Sequence, residues 1–162
     1  MPIITADNGF EQFYERHYKM VYRICFTYMK NQSEAEDCTE DVFVKVLTGE
    51  ISFQDETHEK KWLTVTAINL CKDRLKHWFR RMVSPIEDVE EPAGEGIPEP
   101  DETLEIVKKL PTKYKDVIYL HYYMGYKTDE IAAMLHKPPS TVRNHLAEAR
   151  ALLKKQLGET AV

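Results

Sequence analysis

Apolar side chains recur at steps of three and four residues along most of the chain, which is the spacing of one buried face on an α-helix. The first stripe covers residues 10–30. A second helix is predicted over residues 33–47, because Ser33 and Glu36 form a capping-box pattern. A third is predicted over residues 58–81. Three amphipathic helices of this length can share one small core.

Residues 84–101 break this pattern. They contain seven acidic residues, no Lys or Arg, four prolines and two glycines. Such a segment can neither bury much apolar area nor hold a long helix, so a flexible tether is predicted.

Four shorter helical patterns follow the tether, over residues 103–110, 112–124, 128–135 and 139–157. The alternation expected of strands is absent from the sequence. The predicted fold class is therefore all-α, with two small helical domains: a three-helix bundle over residues 1–83, the acidic linker over 84–101, and a four-helix domain over 102–162.

The last two helices, separated by a short turn, form a helix-turn-helix pattern. If Val142, Leu146 and Ala149 face the core, a rotation of about 100° per residue turns Ser140, Thr141, Asn144 and Glu148 outward, with Arg143 on the flank. Small polar groups and one arginine therefore occupy the N-terminal half of this helix. In helix-turn-helix proteins this part of the second helix meets base edges in the major groove. Nearby basic side chains suited to phosphate contacts are Lys127, Lys137 and Arg150. A solvated helix that binds no DNA would have the same polar face, so periodicity alone leaves both interpretations open.

Charge is distributed unevenly along the chain, whose formal net charge is −5. Counted from the sequence, residues 1–83 carry −1, the linker −7 and residues 102–162 +3. Within the first segment, residues 60–83 hold seven basic side chains and one acid. The third helix is therefore a candidate for binding a polyanion.

Several function classes are disfavoured by what the sequence lacks. There is no Gly-rich phosphate loop, no His-Glu-x-x-His and no Gly-x-Ser-x-Gly, so we expect no catalytic residues and no cofactor. Cys25, Cys38 and Cys71 are widely spaced on apolar helix faces, and no metal is expected there. No apolar run is long enough to span a bilayer, and the N-terminus lacks a signal pattern, so a cytoplasmic protein without membrane insertion is expected.

Three blocks, in order, resemble extracytoplasmic-function sigma factors of the sigma-70 family. SEAEDCTEDVFVKVL (33–47) resembles the region that docks on the coiled coil of the largest subunit of RNA polymerase. KKWLTVTAINLCKDRLKHWFRR (60–81) resembles the region that recognises and melts the minus-ten promoter element. The segment 110–157 resembles the region that binds the minus-thirty-five element.

The resemblance implies roles for individual residues. Asp37, Glu40, Asp41 and Phe43 match polymerase-docking positions. The minus-ten set comprises Phe53, His58, Asn69, Asp73, Arg74, Lys76, Arg80 and Arg81. For Trp62 a core position is expected, whereas Trp78 and Phe79 suit either stacking on single-stranded DNA or closing the domain.

The family also implies partners: the bacterial core polymerase, through its coiled coil and the flap of the β subunit, promoter DNA, and an anti-sigma factor. The chain departs from the family pattern at His136, where a glycine is usual, and at His145, Ala147 and Glu148, where more positive charge is usual. These departures bear on which promoter sequence the chain would recognise more than on the class of protein to which it belongs.

Two other function classes remain open on the residues alone. One is an autonomous dimeric helix-turn-helix regulator, which would need a palindromic site. The other is an enzyme or metal-dependent switch that uses the three cysteines.

Overall fold

A computed structural model describes residues 4–5, 8–81 and 102–160 of the chain, so the predicted linker over 84–101 lies outside the described residues. Seven α-helices lie in the described part, and the all-α prediction is confirmed. The chain divides into two compact units, Met1–Pro98 and Glu99–Val162. None of the described helices is long and apolar enough to cross a membrane.

The first unit is a bundle of α1 (Phe10–Tyr28), α2 (Gln32–Thr48) and α3 (Glu56–Arg81). Each helix packs against both others. Burial follows the predicted spacing, since Val21, Val42 and Leu63 are fully buried, one from each helix. The core is therefore formed by one apolar stripe per helix.

Two helices begin earlier than predicted. The N-cap of α2 is Asn31, whose Oδ1 accepts a hydrogen bond from the backbone N–H of Glu34 at 2.9 Å. The capping box predicted at Ser33 is therefore wrong, because Asn31 already supplies an equally good cap. Before α3, Asp55 accepts a hydrogen bond from the backbone N–H of His58 at 2.8 Å.

An aromatic cluster closes one end of this bundle. The ring of Phe53, from the loop between α2 and α3, stacks on Phe13 with centroids 5.5 Å apart. Phe43 meets Phe13 edge-on at 6.1 Å. Trp62, expected in the core, is half-buried and meets Phe53 edge-on at 5.7 Å. The loop is thereby anchored to the bundle by a buried aromatic side chain.

The second unit contains α4 (Glu102–Lys108), α5 (Thr112–Ile118), α6 (Thr128–Leu135) and α7 (Pro139–Thr160). Helix α5 continues as a π-helical turn at Tyr119–Tyr123, where the sequence predicted a uniform helix to residue 124. The N–H of Met124 bonds to the carbonyl of Tyr119, which is five residues back. Such turns are rare and insert an extra residue into the helix.

Candidate nucleic-acid and partner interfaces

The turn between α6 and α7 is a tight Schellman-type helix end. His136 has φ 54° and ψ 48°, in the left-handed region, and the N–H of Lys137 bonds to the carbonyl of Ala132 at 3.0 Å. A glycine reaches this conformation without strain, whereas a histidine does so at a cost. At the other end of α6 the N-cap is Lys127, and Thr128 is the first helical residue, where the predicted helix over 128–135 begins. Glu130 accepts a hydrogen bond from the N–H of Lys127 at 3.1 Å.

The inward face of α7 is the predicted one. Val142, Leu146 and Ala149 are buried, and Pro139 occupies the first helical position. A proline is well tolerated there because its missing N–H would have no partner within the helix. This stripe sets the rotation of α7 about its axis and hence which side chains point outward.

The outward face of α7 carries the residues predicted to contact bases. Ser140, Arg143 and Asn144 are exposed, and Thr141 is half-buried. They lie in the first two turns of the helix, where a recognition helix enters the major groove. His145, on the flank, meets Tyr114 edge-on at 5.9 Å, and burial lowers its pKa, assisted by the charge of Lys137.

Two members of the predicted set have partners inside the unit. Glu148 accepts a hydrogen bond from the hydroxyl of Tyr114 on α5. The guanidinium of Arg150 donates to the hydroxyl of Tyr122 and lies 5.6 Å from the centre of its ring. Tyr122 is 54% exposed, and the sequence analysis did not identify it as part of this surface. The other two predicted phosphate contacts are Lys127, which is exposed, and Lys137, which is half-buried.

On α2 of the first unit, acidic side chains share one exposed face. Asp37, Glu40 and Asp41 are exposed, and their spacing places them within about a third of the helix circumference. Val44 lies on the same face and is 51% exposed, which the sequence analysis did not identify. The sequence does contain a signal for Val44. It follows Asp41 by three residues and Glu40 by four, which places it on the same face of the helix. The hydroxyl of Tyr14 donates to Oε1 of Glu40 at 2.7 Å, and burial, followed by this bond, raises the pKa of Tyr14.

Phe43, predicted as a docking residue, is only 1% exposed and packs in the aromatic cluster. It lies beneath the acidic face rather than on it. The structure therefore places Phe43 in the core, because its position on α2 turns toward α1 rather than toward solvent.

Two side chains predicted for different sites meet each other. Arg74 of α3 forms an ion pair with Asp41 of α2. Asp41 was predicted to dock polymerase and Arg74 to face the promoter. The pair connects two helices of the bundle, so each residue also has a structural role.

The predicted minus-ten residues divide into surface and core positions. His58, Asn69, Asp73 and Lys76 are exposed, and their spacing places them along one face of α3. Phe53 is 5% exposed and lies in the aromatic cluster, so it does not share their surface. The side chains of Trp78, Phe79, Arg80 and Arg81 lie outside the described residues.

These features define a two-unit, all-α protein in which one unit carries a helix-turn-helix. Family models match both units: "Sigma-70 region 2" matches residues 13–81, and "Sigma-70, region 4" matches residues 101–153. The chain belongs to the sigma-70 family and is an extracytoplasmic-function (ECF) sigma factor, which directs transcription initiation.

Similar proteins agree with this assignment. ECF RNA polymerase sigma factor SigM of Mycobacterium tuberculosis is 26% identical over 153 residues, which cover 93% of this chain and 78% of SigM. For ECF RNA polymerase sigma factor SigW of Bacillus subtilis the identity is 27%, covering 85% of this chain and 82% of SigW.

A similar solved structure is the sigma factor RpoE in complex with the anti-sigma factor NepR from Bartonella quintana. It has a TM-score of 0.72 and 18% identity, and covers 93% of this chain and 97% of RpoE. The likeness supports the fold. The autonomous dimeric regulator is not favoured by these comparisons.

Proposed function

We propose that this chain binds the bacterial core RNA polymerase and places it at promoters through two separate DNA contacts. Residues 1–83 would dock on polymerase and recognise the minus-ten element, residues 84–101 would link the units, and residues 102–162 would bind the minus-thirty-five element. The observation that carries the proposal is that two units matching regions 2 and 4 each present an exposed polar helix face.

The docking surface on the first unit is formed by Asp37, Glu40 and Asp41, with Val44 on the same face of α2. Carboxylates beside an exposed apolar side chain suit a basic partner that also has apolar surface, since charge steers the encounter and apolar contact adds affinity. The partner would be the coiled coil of the largest polymerase subunit. Phe43 supports this surface from beneath and is not in the proposed contact set.

The minus-ten contact is assigned to the exposed face of α3, which carries His58, Asn69, Asp73 and Lys76. Arg80 and Arg81 remain in the proposed minus-ten set because of the sequence resemblance alone. Taking a base out of the stack costs a few kcal/mol, which contacts to the extruded base must return. Arg74 is held by Asp41, so its proposed role is to hold α3 against α2.

The minus-thirty-five contact is assigned to the start of α7. Arg143 suits a guanine and Asn144 an adenine, because each can form two hydrogen bonds to that base edge. Ser140 and Thr141 complete the base-contacting set. Lys127, Lys137 and Arg150 would contact phosphates, with Arg150 oriented by Tyr122.

Neither DNA contact is expected to be strong alone, because the chain carries a net charge of −5 and its basic faces are small. Polymerase would hold both units at once, so that two weak contacts act as one through effective concentration. The chain would supply positioning without catalysing a reaction, and it would act in the cytoplasm, where polymerase is found.

An anti-sigma factor is proposed as a second partner that would cover the docking and DNA-binding faces. Support comes from RpoE, a similar fold solved in complex with the anti-sigma factor NepR. Purification from the native cell under non-inducing conditions would test this. Recovery of polymerase without a stoichiometric inhibitor would count against it.

The main test is reconstitution with sigma-free core polymerase and run-off transcription from a promoter library. The double reversal Asp37→Lys/Glu40→Lys should abolish polymerase binding and all specific transcripts. Tyr14→Phe is the matched control, since it removes the hydrogen bond to Glu40 but leaves the acidic face intact. Wild-type binding by the double reversal would refute the docking assignment. Tight promoter binding by the isolated chain would refute the two-contact mechanism.

A further inference from the structure

The three cysteines of the chain lie next to one another in the first unit. Cys25 is on α1, Cys38 on α2 and Cys71 on α3, and their sulfur atoms all lie within 4.8 Å of one another. The sulfurs of Cys38 and Cys71 are 3.3 Å apart. All three are 0% exposed, and none forms a disulfide.

Convergence distinguishes this cluster from ordinary buried cysteines. A buried cysteine behaves as a small apolar residue, and packing of the bundle brings core side chains of the three helices together. Here all three side chains that meet are cysteines. Three sulfur atoms around one point are the ligand set that soft, thiophilic ions prefer. Among the described residues no His, Asp or Glu joins the group.

Coordination number and charge narrow the choice of ion. Zinc in structural sites takes four ligands, and this cluster offers three. Three thiolates carry three negative charges. Any net charge that the bound ion does not neutralise is costly in a core that excludes water. A monovalent or divalent ion would leave the complex negative, whereas a trivalent one would make it neutral.

We propose that Cys25, Cys38 and Cys71 form a three-sulfur site for a soft trivalent metalloid of the arsenite class. Arsenous acid would react with the three thiols to form three As–S bonds and release three water molecules. Each thiol proton leaves with one hydroxyl group, so there is no oxidation or reduction. The adduct is neutral, and the lone pair of arsenic takes the place of a fourth ligand.

Such an adduct would bind α1, α2 and α3 together at one atom. A ligand that binds only the folded state raises the ratio of folded to unfolded chain by a factor of 1 + [L]/Kd, where [L] is the free ligand concentration. This is about 100-fold when that concentration is 100 times Kd. Because the thiols are fully buried, the reaction requires local opening of the bundle and should be slow. Mild denaturant should accelerate it.

The test uses the full-length reduced chain and sodium arsenite under anaerobic conditions. Mass spectrometry of the native chain should show one added arsenic less three hydrogens, and the number of free thiols should fall from three to none. The thermal midpoint of the first unit should rise. Each of Cys25→Ala, Cys38→Ala and Cys71→Ala should lose both the three-thiol adduct and the rise.

Val42→Ala is the matched control, because it removes apolar volume from the same core and leaves the thiols in place. It should lower the midpoint yet keep the rise with arsenite. If Cys71→Ala fails to fold, Cys71→Val preserves the apolar volume and should still lose the adduct.

Two outcomes would overturn the proposal. One is a chain that takes up no arsenic even when denaturant accelerates opening. The other is one-to-one, cysteine-dependent binding of Cu(I) or Zn(II) by a chain that does not bind arsenite.

Discussion

Replacing Arg143 by alanine tests the proposed recognition helix most directly. Arg143 is exposed, while its neighbour Val142 is buried and holds the backbone of α7 in place. Alanine is a good helix former, so the free energy of unfolding should change by no more than about 0.5 kcal/mol. A loss of transcription would therefore report a lost DNA contact rather than misfolding.

The magnitude follows from the type of contact. A guanidinium that forms two hydrogen bonds to a guanine contributes about 1–3 kcal/mol of discrimination against other bases. Since about 1.4 kcal/mol corresponds to a factor of ten, the preference for the correct base should fall about 5- to 150-fold. The loss should be confined to one position of the minus-thirty-five element.

The assay is run-off transcription by the reconstituted holoenzyme on promoters that carry each base at each upstream position. Lys154→Ala is the matched control, because Lys154 is an exposed cation on the same helix, far from its N-terminal turns. A phosphate contact at Lys154 would weaken all templates alike and reduce the dependence on salt.

The reasoning about Arg143 would be refuted by either of two results. One is that Arg143→Ala keeps the wild-type base preference at every upstream position, and the other is that it weakens transcription from all templates equally. The second result would make Arg143 a phosphate contact.

Three further predictions concern stability and are checked by thermal unfolding. His136→Gly should stabilise the second unit by about 1 kcal/mol, since glycine relieves the left-handed conformation, and destabilisation would contradict this explanation. The lowered pKa of His145 means that the unfolded state binds protons more readily, so the second unit should lose stability as pH falls below about 6.5. His145→Gln should weaken that dependence, and an unchanged pH profile would rule His145 out. A double-mutant cycle on Asp41 and Arg74 should give about 0.2–1 kcal/mol for this partly exposed pair, and a coupling well above that range would indicate a more desolvated pair.

Sequence periodicity identified the helices and their buried faces because a stripe at steps of three and four residues is a local property. The inward faces of α1 and α7 agree with that pattern at Val21 and Val142. The exact first residue of a helix was harder to predict. Asn31 and Ser33 are both good N-cap residues, and only Asn31 is used. The π-helical turn at Tyr119–Tyr123 has no comparable signal in the pattern.

Only the tertiary structure decided which side chains from different elements meet. The sequence resemblance assigns Phe53 to the minus-ten set, yet its ring packs on Phe13 of α1, which is far from it in the sequence. The pairing of Asp41 with Arg74 and the convergence of the three cysteines likewise depend on how the helices are rotated against one another. Periodicity reports that a face is buried, but the partner of that face is set by packing among all three helices.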